Sequence, residues 1–112
     1  MIYKLSELAE NDLKEILSYS FENFGLERAE KYYFGLKKCC SLIGDYPEIG
    51  RLRPDIDALT RSFVHESHVI YYEIQPKRVI ILRVLGEKQD PMRHLKTSEM
   101  PVRKKIRKPY RK

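Results

Sequence analysis

The apolar residues of this 112-residue chain change their spacing part-way along the sequence. In the first half they recur every three or four residues, which places them on one face of a helix. From about residue 59 they come in short runs rich in β-branched and aromatic side chains, which is typical of strands. This change predicts a domain in which helices from the first half pack against a sheet built mainly from the second half.

Two helices are predicted in the first half. Ser6 is a suitable N-cap for the first helix, and Gly25 is a residue that can end it. Because the link between the two patterns is short, the helices should form an antiparallel hairpin. The apolar stripe of the first helix consists of Ala9, Leu13, Ile16, Leu17, Ser20 and Phe24, and that of the second consists of Ala29, Tyr32, Tyr33, Leu36, Cys39 or Cys40, and Ile43.

Four strands are predicted, one at residues 1–5 and three at 59–65, 69–74 and 79–85. The polar connection at residues 75–78 favours an antiparallel hairpin between the last two. In the final strand we expect Ile80, Leu82 and Val84 to share one face, with Val79, Ile81, Arg83 and Leu85 on the other. The predicted fold class is therefore α+β, in the order β-α-α-β-β-β, with the helical hairpin packed on a small, curved, mainly antiparallel sheet.

The net charge of +6 is unevenly distributed along the chain. Eight basic residues and one acid follow position 95, so residues 1–95 carry fourteen bases and fifteen acids, a net charge of −1. We therefore predict a nearly neutral domain at 1–95 and a flexible basic tail at 96–112 that has too few apolar residues to pack. The leading interpretation is a solvated tail; the alternative is contact with nucleic acid or an acidic protein surface through Arg103, Lys104, Lys105, Arg107 and Lys108.

Neither a membrane segment nor a metal or cofactor site is predicted. The N-terminus has no signal-peptide pattern and no apolar run is long enough to span a bilayer, so we expect a cytoplasmic protein. Cys39 and Cys40 are adjacent, which disfavours a mutual disulfide; one should pack in the core and the other be partly exposed. His65 and His68 are expected on opposite faces of a strand, which argues against a shared metal ion.

Several short groups of residues occur in a particular order between about positions 2 and 95, and they suggest a family. They are Ala9, Asp12-Leu13 and Ile16; Gly25, Ala29, Tyr33 and Leu36; Pro47-Glu48-Ile49-Gly50; Arg61; residues 68–72; residues 81–85; Asp90; and His94-Leu95. In this order the chain resembles the ParE branch of the RelE/ParE toxins. The resemblance implies the toxin of a type II toxin–antitoxin module that inhibits DNA gyrase without being an enzyme. It also implies neutralisation by a ParD-like antitoxin laid across the helical hairpin and sheet.

The same superfamily contains ribosome-dependent messenger-RNA endonucleases, which gives an alternative function. Such an enzyme needs a general base, a general acid and cations around the phosphate. Glycine stands at position 86, where a His or Tyr commonly follows the Arg-Val-Leu segment in the superfamily, and it has no side chain to move a proton. This absence favours the gyrase inhibitor. If the chain were a nuclease, its catalytic candidates would be Arg61, Arg83, Glu87 and His94.

A separate set of residues is predicted to bind the target or the antitoxin, namely Arg61, Tyr71, Tyr72, Arg83 and His94. The two arginines have a structural alternative, in which they pair with acids across the sheet. For Arg83 we favour a functional role, because its neighbours are apolar and an unpaired charge there would be costly. The two tyrosines should point to opposite faces, so that one lies in the core and the other meets a partner.

Overall fold

The computed structural model describes residues 1–95. It has the predicted α+β fold, in which a helical hairpin is followed by a curved, mostly antiparallel sheet of five strands in the order β1-β5-β4-β3-β2. Only β1 and β5 pair in parallel. The elements are β1 Ile2–Leu5, α1 Glu7–Phe24, α2 Leu26–Asp45, a 3₁₀ turn Pro47–Ile49, β2 Arg51–Leu52, β3 Thr60–His65, β4 His68–Ile74, β5 Arg78–Gly86 and α3 Pro91–His94.

The predicted ends of α1 are both confirmed. The Ser6 hydroxyl oxygen accepts a hydrogen bond from Ala9 N at 3.0 Å and donates to the Leu82 carbonyl at 2.8 Å, so the cap also fixes the start of α1 to β5. At the other end Gly25 has φ +87°, a conformation that residues with a side chain rarely adopt. This single residue separates α1 from α2 and makes the hairpin sharp.

The core is divided between the two faces of the sheet. Val79, Ile81 and Val84 pack with the helices, whereas Ile80, Leu82 and Leu85 belong to a second cluster that includes Tyr71 and Leu95. The prediction that Val84 shares a face with Ile80 and Leu82 is therefore wrong.

A β-bulge explains the difference. Tyr71 pairs with Arg83 but its neighbour Tyr72 pairs with Ile81, so β5 contains one extra residue at this point. An extra residue shifts the alternation of all side chains that follow it. The hairpin between β4 and β5 is confirmed, and Gln75 N donates to the Arg78 carbonyl at 2.8 Å.

The segment Pro47-Glu48-Ile49-Gly50 is anchored to the core by one tyrosine. The Tyr72 hydroxyl donates to the Pro47 carbonyl at 2.6 Å and accepts from Gly50 N at 2.8 Å. A Cβ on Gly50 would lie 2.6 Å from that hydroxyl oxygen and 2.7 Å from the Ser62 carbonyl oxygen. Only glycine fits this approach, which accounts physically for its place in the segment.

The predicted basic tail, 96–112, lies outside the described residues. Among residues 1–95, no helix combines the length and the apolar character that a membrane crossing requires.

Candidate functional site

A groove of about 560 Å³ runs between α1 and the ends of β4 and β5. We call it the α1 groove. One wall is the outward side of α1, the other is the β3–β4 turn and the chain after β5, and Arg83 and Val84 lie between them. Of the residues predicted to form a site, the groove brings together Arg83 and His94.

Arg83 is held by an acid from the first helix. Its Nε and Nη2 donate to the two carboxylate oxygens of Asp12 at 2.8 and 2.9 Å, and its Nη1 donates to the His94 carbonyl at 3.1 Å. One Asp12 oxygen also accepts from Val84 N at 2.9 Å. The side chains of Arg83 and Asp12 are only 12% and 9% exposed. The charge of Arg83 is thus matched within the fold, as in the structural alternative, and its role in binding a target or antitoxin stays a prediction.

Arg61 lies apart from the groove. It is opposite Tyr72 in the β3–β4 pair and its Nη1 donates to the Gly50 carbonyl at 2.7 Å. A second, longer contact reaches the Glu48 carbonyl at 3.4 Å. The expected acid partner across the sheet is therefore replaced by backbone carbonyls of the segment that precedes β2.

Tyr71 and Tyr72 belong to different core clusters, as the alternation predicted. Their exposures are 3% and 0%, so the expectation that one of them faces a partner is wrong for the chain on its own. Strand alternation indicates which face a residue occupies, but it does not show whether that face is covered.

Of the remaining two nuclease candidates, His94 lies in the groove with Arg83, whereas Glu87 does not. Glu87 is exposed, its backbone N donates to the Ser67 carbonyl at 2.9 Å, and its side chain does not line the groove. At the neighbouring Gly86, an added Cβ would meet only the Gln89 side chain, at 3.4 Å, which is an ordinary contact. Space therefore exists for a Cβ at position 86, where the chain has glycine.

The two histidines near the β3–β4 turn lie together, contrary to the prediction of opposite faces. His65 and His68 pair directly across the two-residue turn that joins the strands, so alternation along a single strand does not apply to them. The Tyr32 ring packs against both, with centroid distances of 5.6 and 5.5 Å, and its hydroxyl lies 2.7 Å from His68 Nδ1.

Burial lowers the pKa of His68, and the nearby His65 lowers it further, while Asp12 and Glu87 oppose the shift. The neutral imidazole is therefore favoured in the folded chain. No group of three or more side chains suited to holding a metal ion occurs among residues 1–95.

The two cysteines have the predicted arrangement, with Cys40 buried and Cys39 partly exposed. Cys39 Sγ lies 3.3 Å from His65 Nδ1. Burial raises the pKa of Cys40 to about 12 and also raises that of Cys39. Both thiols are consequently protonated at neutral pH and unreactive compared with a catalytic cysteine.

Two exposed aromatic residues of α1 line the groove. Tyr19 is 62% exposed and Phe24 is 54% exposed, and the Arg28 guanidinium lies 5.3 Å from the centre of the Phe24 ring. The assignment of Phe24 to the buried stripe of α1 is wrong, because the residue lies at the last position of the helix, beyond the core. The position of Phe24 directly before Gly25, the residue that ends the helix, is the sequence signal that indicates its exposure. Exposed aromatic side chains beside a groove are typical of protein-binding surfaces.

Comparison with known proteins identifies the family. The sequence model of the ParE toxin of type II toxin–antitoxin systems, parDE, matches residues 3–91. The chain belongs to the ParE toxin family. Toxin ParE1 of Caulobacter vibrioides is 33% identical over 93 residues, and Toxin ParE1 of Mycobacterium tuberculosis is 30% identical over 94 residues. Each alignment covers 83% of this chain and 96% of the relative.

A solved structure supports the assignment at the level of the fold. It is described as a chromosomal ParDE TA system from P. aeruginosa, and it matches with a TM-score of 0.69 at 22% sequence identity. The match covers 77% of this chain and 95% of the other. The helical hairpin and curved sheet described above are thus the ParE fold, and the resemblance to the RelE/ParE superfamily is confirmed.

Proposed function

We propose that this ParE-family toxin acts in the cytoplasm by inhibiting DNA gyrase, and that it does not itself cleave nucleic acid. The observation that carries the proposal is the dispersal of the groups that a nuclease would need. Of the four candidates only Arg83 and His94 share the α1 groove, and Arg83 is committed to Asp12 there. Arg61 is committed to backbone carbonyls, and Glu87 lies outside the α1 groove. A nuclease would need a base, an acid and a cation that converge on one point, and the separation of the four candidates supports a role without cleavage.

We further propose that a ParD-like antitoxin neutralises the toxin by binding along the α1 groove. The P. aeruginosa neighbour is described as a ParDE system, which supports an antitoxin of this type. Tyr19 and Phe24 offer apolar surface next to the acidic Glu15 and the basic Arg28. An amphipathic segment with aliphatic side chains and one or two charges of each sign would complement this lining.

The gyrase proposal is tested with the purified full chain. We expect it to block negative supercoiling of relaxed plasmid by gyrase and to increase the amount of linear DNA trapped with the enzyme. Cleavage of messenger RNA on translating ribosomes, mapped by primer extension, should be absent. Codon-linked cuts together with unaffected gyrase would show that the chain is a ribosome-dependent endonuclease and would overturn the proposal.

The antitoxin proposal is tested with two matched phenylalanine variants of α1. Phe24→Asp places a charge in the groove, whereas Phe21→Asp changes a residue that is equally exposed, at 53%, but does not line it. We expect the first variant to lose about tenfold or more in affinity for a ParD-like antitoxin, and the second to bind normally. Equal losses in both variants would place the antitoxin elsewhere on the chain.

A further inference from the structure

The small net charge of residues 1–95 conceals a separation of charge between the two helices. α1 carries five acids and one base, whereas α2 carries four bases and three acids. The four bases of α2 are Arg28, Lys31, Lys37 and Lys38. A domain with almost no net charge therefore presents one locally positive surface.

These four bases line a second, larger groove of about 1060 Å³ along α2, which is also lined by Tyr3 and the β3–β4 turn and which we call the α2 groove. Lys31 and Lys38 are seven residues apart and so lie on the same side of the helix. From Arg28 to Lys38 the helix rises about 15 Å. The only carboxylate in the lining is Glu66, which lies 3.6 Å from His65, so cations outnumber anions in this groove by four to one.

The charges of the α2 groove have no acidic partner within the part of the chain that the structure describes. No ion pair within 4 Å links these bases to Glu27 or Glu30, the acids in the first half of the same helix. Arg28 and Lys37 instead lie over the aromatic rings of Phe24 and Tyr33, at 5.3 and 6.0 Å. Four neighbouring cations repel one another, and a bound polyanion would relieve that repulsion.

The spacing of these residues fits a phosphate backbone better than an acidic protein segment. Three of the four are lysines, which bind phosphates as flexible point charges. Along one strand of duplex DNA a phosphate recurs about every 3.4 Å of axis, so a 15 Å row can meet about four. Phe34, which is 61% exposed in the same groove, adds a flat apolar surface for a sugar or an unstacked base.

We propose that the α2 groove binds the phosphate backbone of DNA. The α2 groove shares Arg28, Tyr32 and Glu66 with the α1 groove by which we propose the antitoxin binds, whereas its three lysines and Phe34 line the α2 groove alone. The inference does not require gyrase to be the target, because it concerns contact with DNA alone.

The test compares two triple variants of the full chain with the same loss of charge. Lys31→Gln, Lys37→Gln and Lys38→Gln remove the lysines of the α2 groove, whereas Lys14→Gln, Lys77→Gln and Lys88→Gln remove three lysines elsewhere. Both variants keep every basic residue after position 95, so that contribution is the same in each. Binding to a fluorescent DNA duplex is followed by anisotropy over a salt series, and thermal unfolding checks that both variants fold.

Each phosphate contact contributes about 0.9 to the slope of log affinity against log salt. The α2-groove variant should therefore lose about 2.7 from the slope, and the control less than about 1. Between about 50 and 200 mM salt, the wild type should then weaken about 40-fold more than the α2-groove variant does.

Equal slopes for the two variants, or no binding by the wild type, would overturn the proposal. So would an α2-groove variant that keeps its DNA affinity but no longer binds the antitoxin, since that result would identify an acidic protein segment as the occupant. DNA binding through α2 by a chain that leaves gyrase unaffected would refute the proposed function while supporting this inference.

Discussion

Replacing Asp12 with asparagine is the sharpest test of how this fold is held together. The substitution keeps the size of the side chain and one oxygen that can accept from Val84 N, but it removes the carboxylate that binds the Arg83 guanidinium. The two residues are 71 positions apart in sequence and join α1 to β5. Their ion pair is therefore a tertiary contact between the helical hairpin and the sheet.

The expected loss of stability follows from burial. With side chains only 9% and 12% exposed, the pair lies largely out of solvent, where breaking an ion pair by removing one partner costs about 3–5 kcal/mol. We expect Asp12→Asn to lose about 3 kcal/mol, at the low end of this range, because the bonds to Val84 N and the His94 carbonyl can persist. For a domain of about 100 residues this corresponds to a Tm lower by about 12 °C.

Removing the arginine as well should restore most of the loss. In Asp12→Asn/Arg83→Met no charge is left in the contact, so we expect a total loss of about 1 kcal/mol, which is about 2 kcal/mol less than the loss in Asp12→Asn alone. Glu15→Gln, an exposed change one turn further along α1, should stay within about 0.5 kcal/mol of wild type. Urea and thermal unfolding followed by circular dichroism measure all four proteins. The reasoning is refuted if Asp12→Asn is no worse than Glu15→Gln, or if the double variant is the least stable.

Three further predictions concern other contacts of the fold. Gly50→Ala should lower the free energy of unfolding by about 2 kcal/mol in urea, because its Cβ would collide with a tyrosine hydroxyl and a backbone carbonyl. The control Gly86→Ala should lower it by less than about 0.5 kcal/mol, and equal losses would contradict the close approach at Gly50. Because burial lowers the pKa of His68, this residue binds a proton more readily in the unfolded chain than in the folded chain. The contribution of neutral His68 to stability is therefore present above about pH 6.5 and is lost as the pH falls below that value. The unfolding free energy of His68→Gln should differ less between about pH 7.5 and 5.5 than that of the wild type, and an unchanged difference would refute this prediction. With the pKa of Cys40 at about 12, a thiol reagent at about pH 8 should modify Cys39 slowly and Cys40 only after denaturation, and rapid reaction of both in the native protein would contradict its burial.

The parts of the fold that were predictable from the sequence are those specified by local signals. Helical spacing, the Ser6 cap and Gly25 are properties of neighbouring residues, and they placed α1 and α2 correctly. The two-residue strand β2 was missed because it is too short to show any alternation. The bulge in β5 was missed because an inserted residue leaves no mark in a strand that is apolar on both faces.

The candidate site was less predictable because it depends on contacts between distant residues. The sequence shows Arg83 among apolar neighbours, but the acid that neutralises it comes from a helix near the other end of the domain. The proximity of His65 and His68 likewise depends on the antiparallel pairing of two successive strands, which alternation along one strand does not show. In both cases the residues were recognised and only their partners were unknown, since long-range pairing is a property of the topology.

The residues that carry the family resemblance explain why it indicates the fold more firmly than the target. Asp12 and Arg83 form the buried ion pair, and Gly50 makes room for a buried hydroxyl; all three act inside the domain. The surfaces proposed to meet partners depend instead on exposed residues such as Phe24 and Lys38, which are not part of that resemblance. A ParE-like fold can therefore be kept while its partners change, so target specificity has to be measured on these exposed residues.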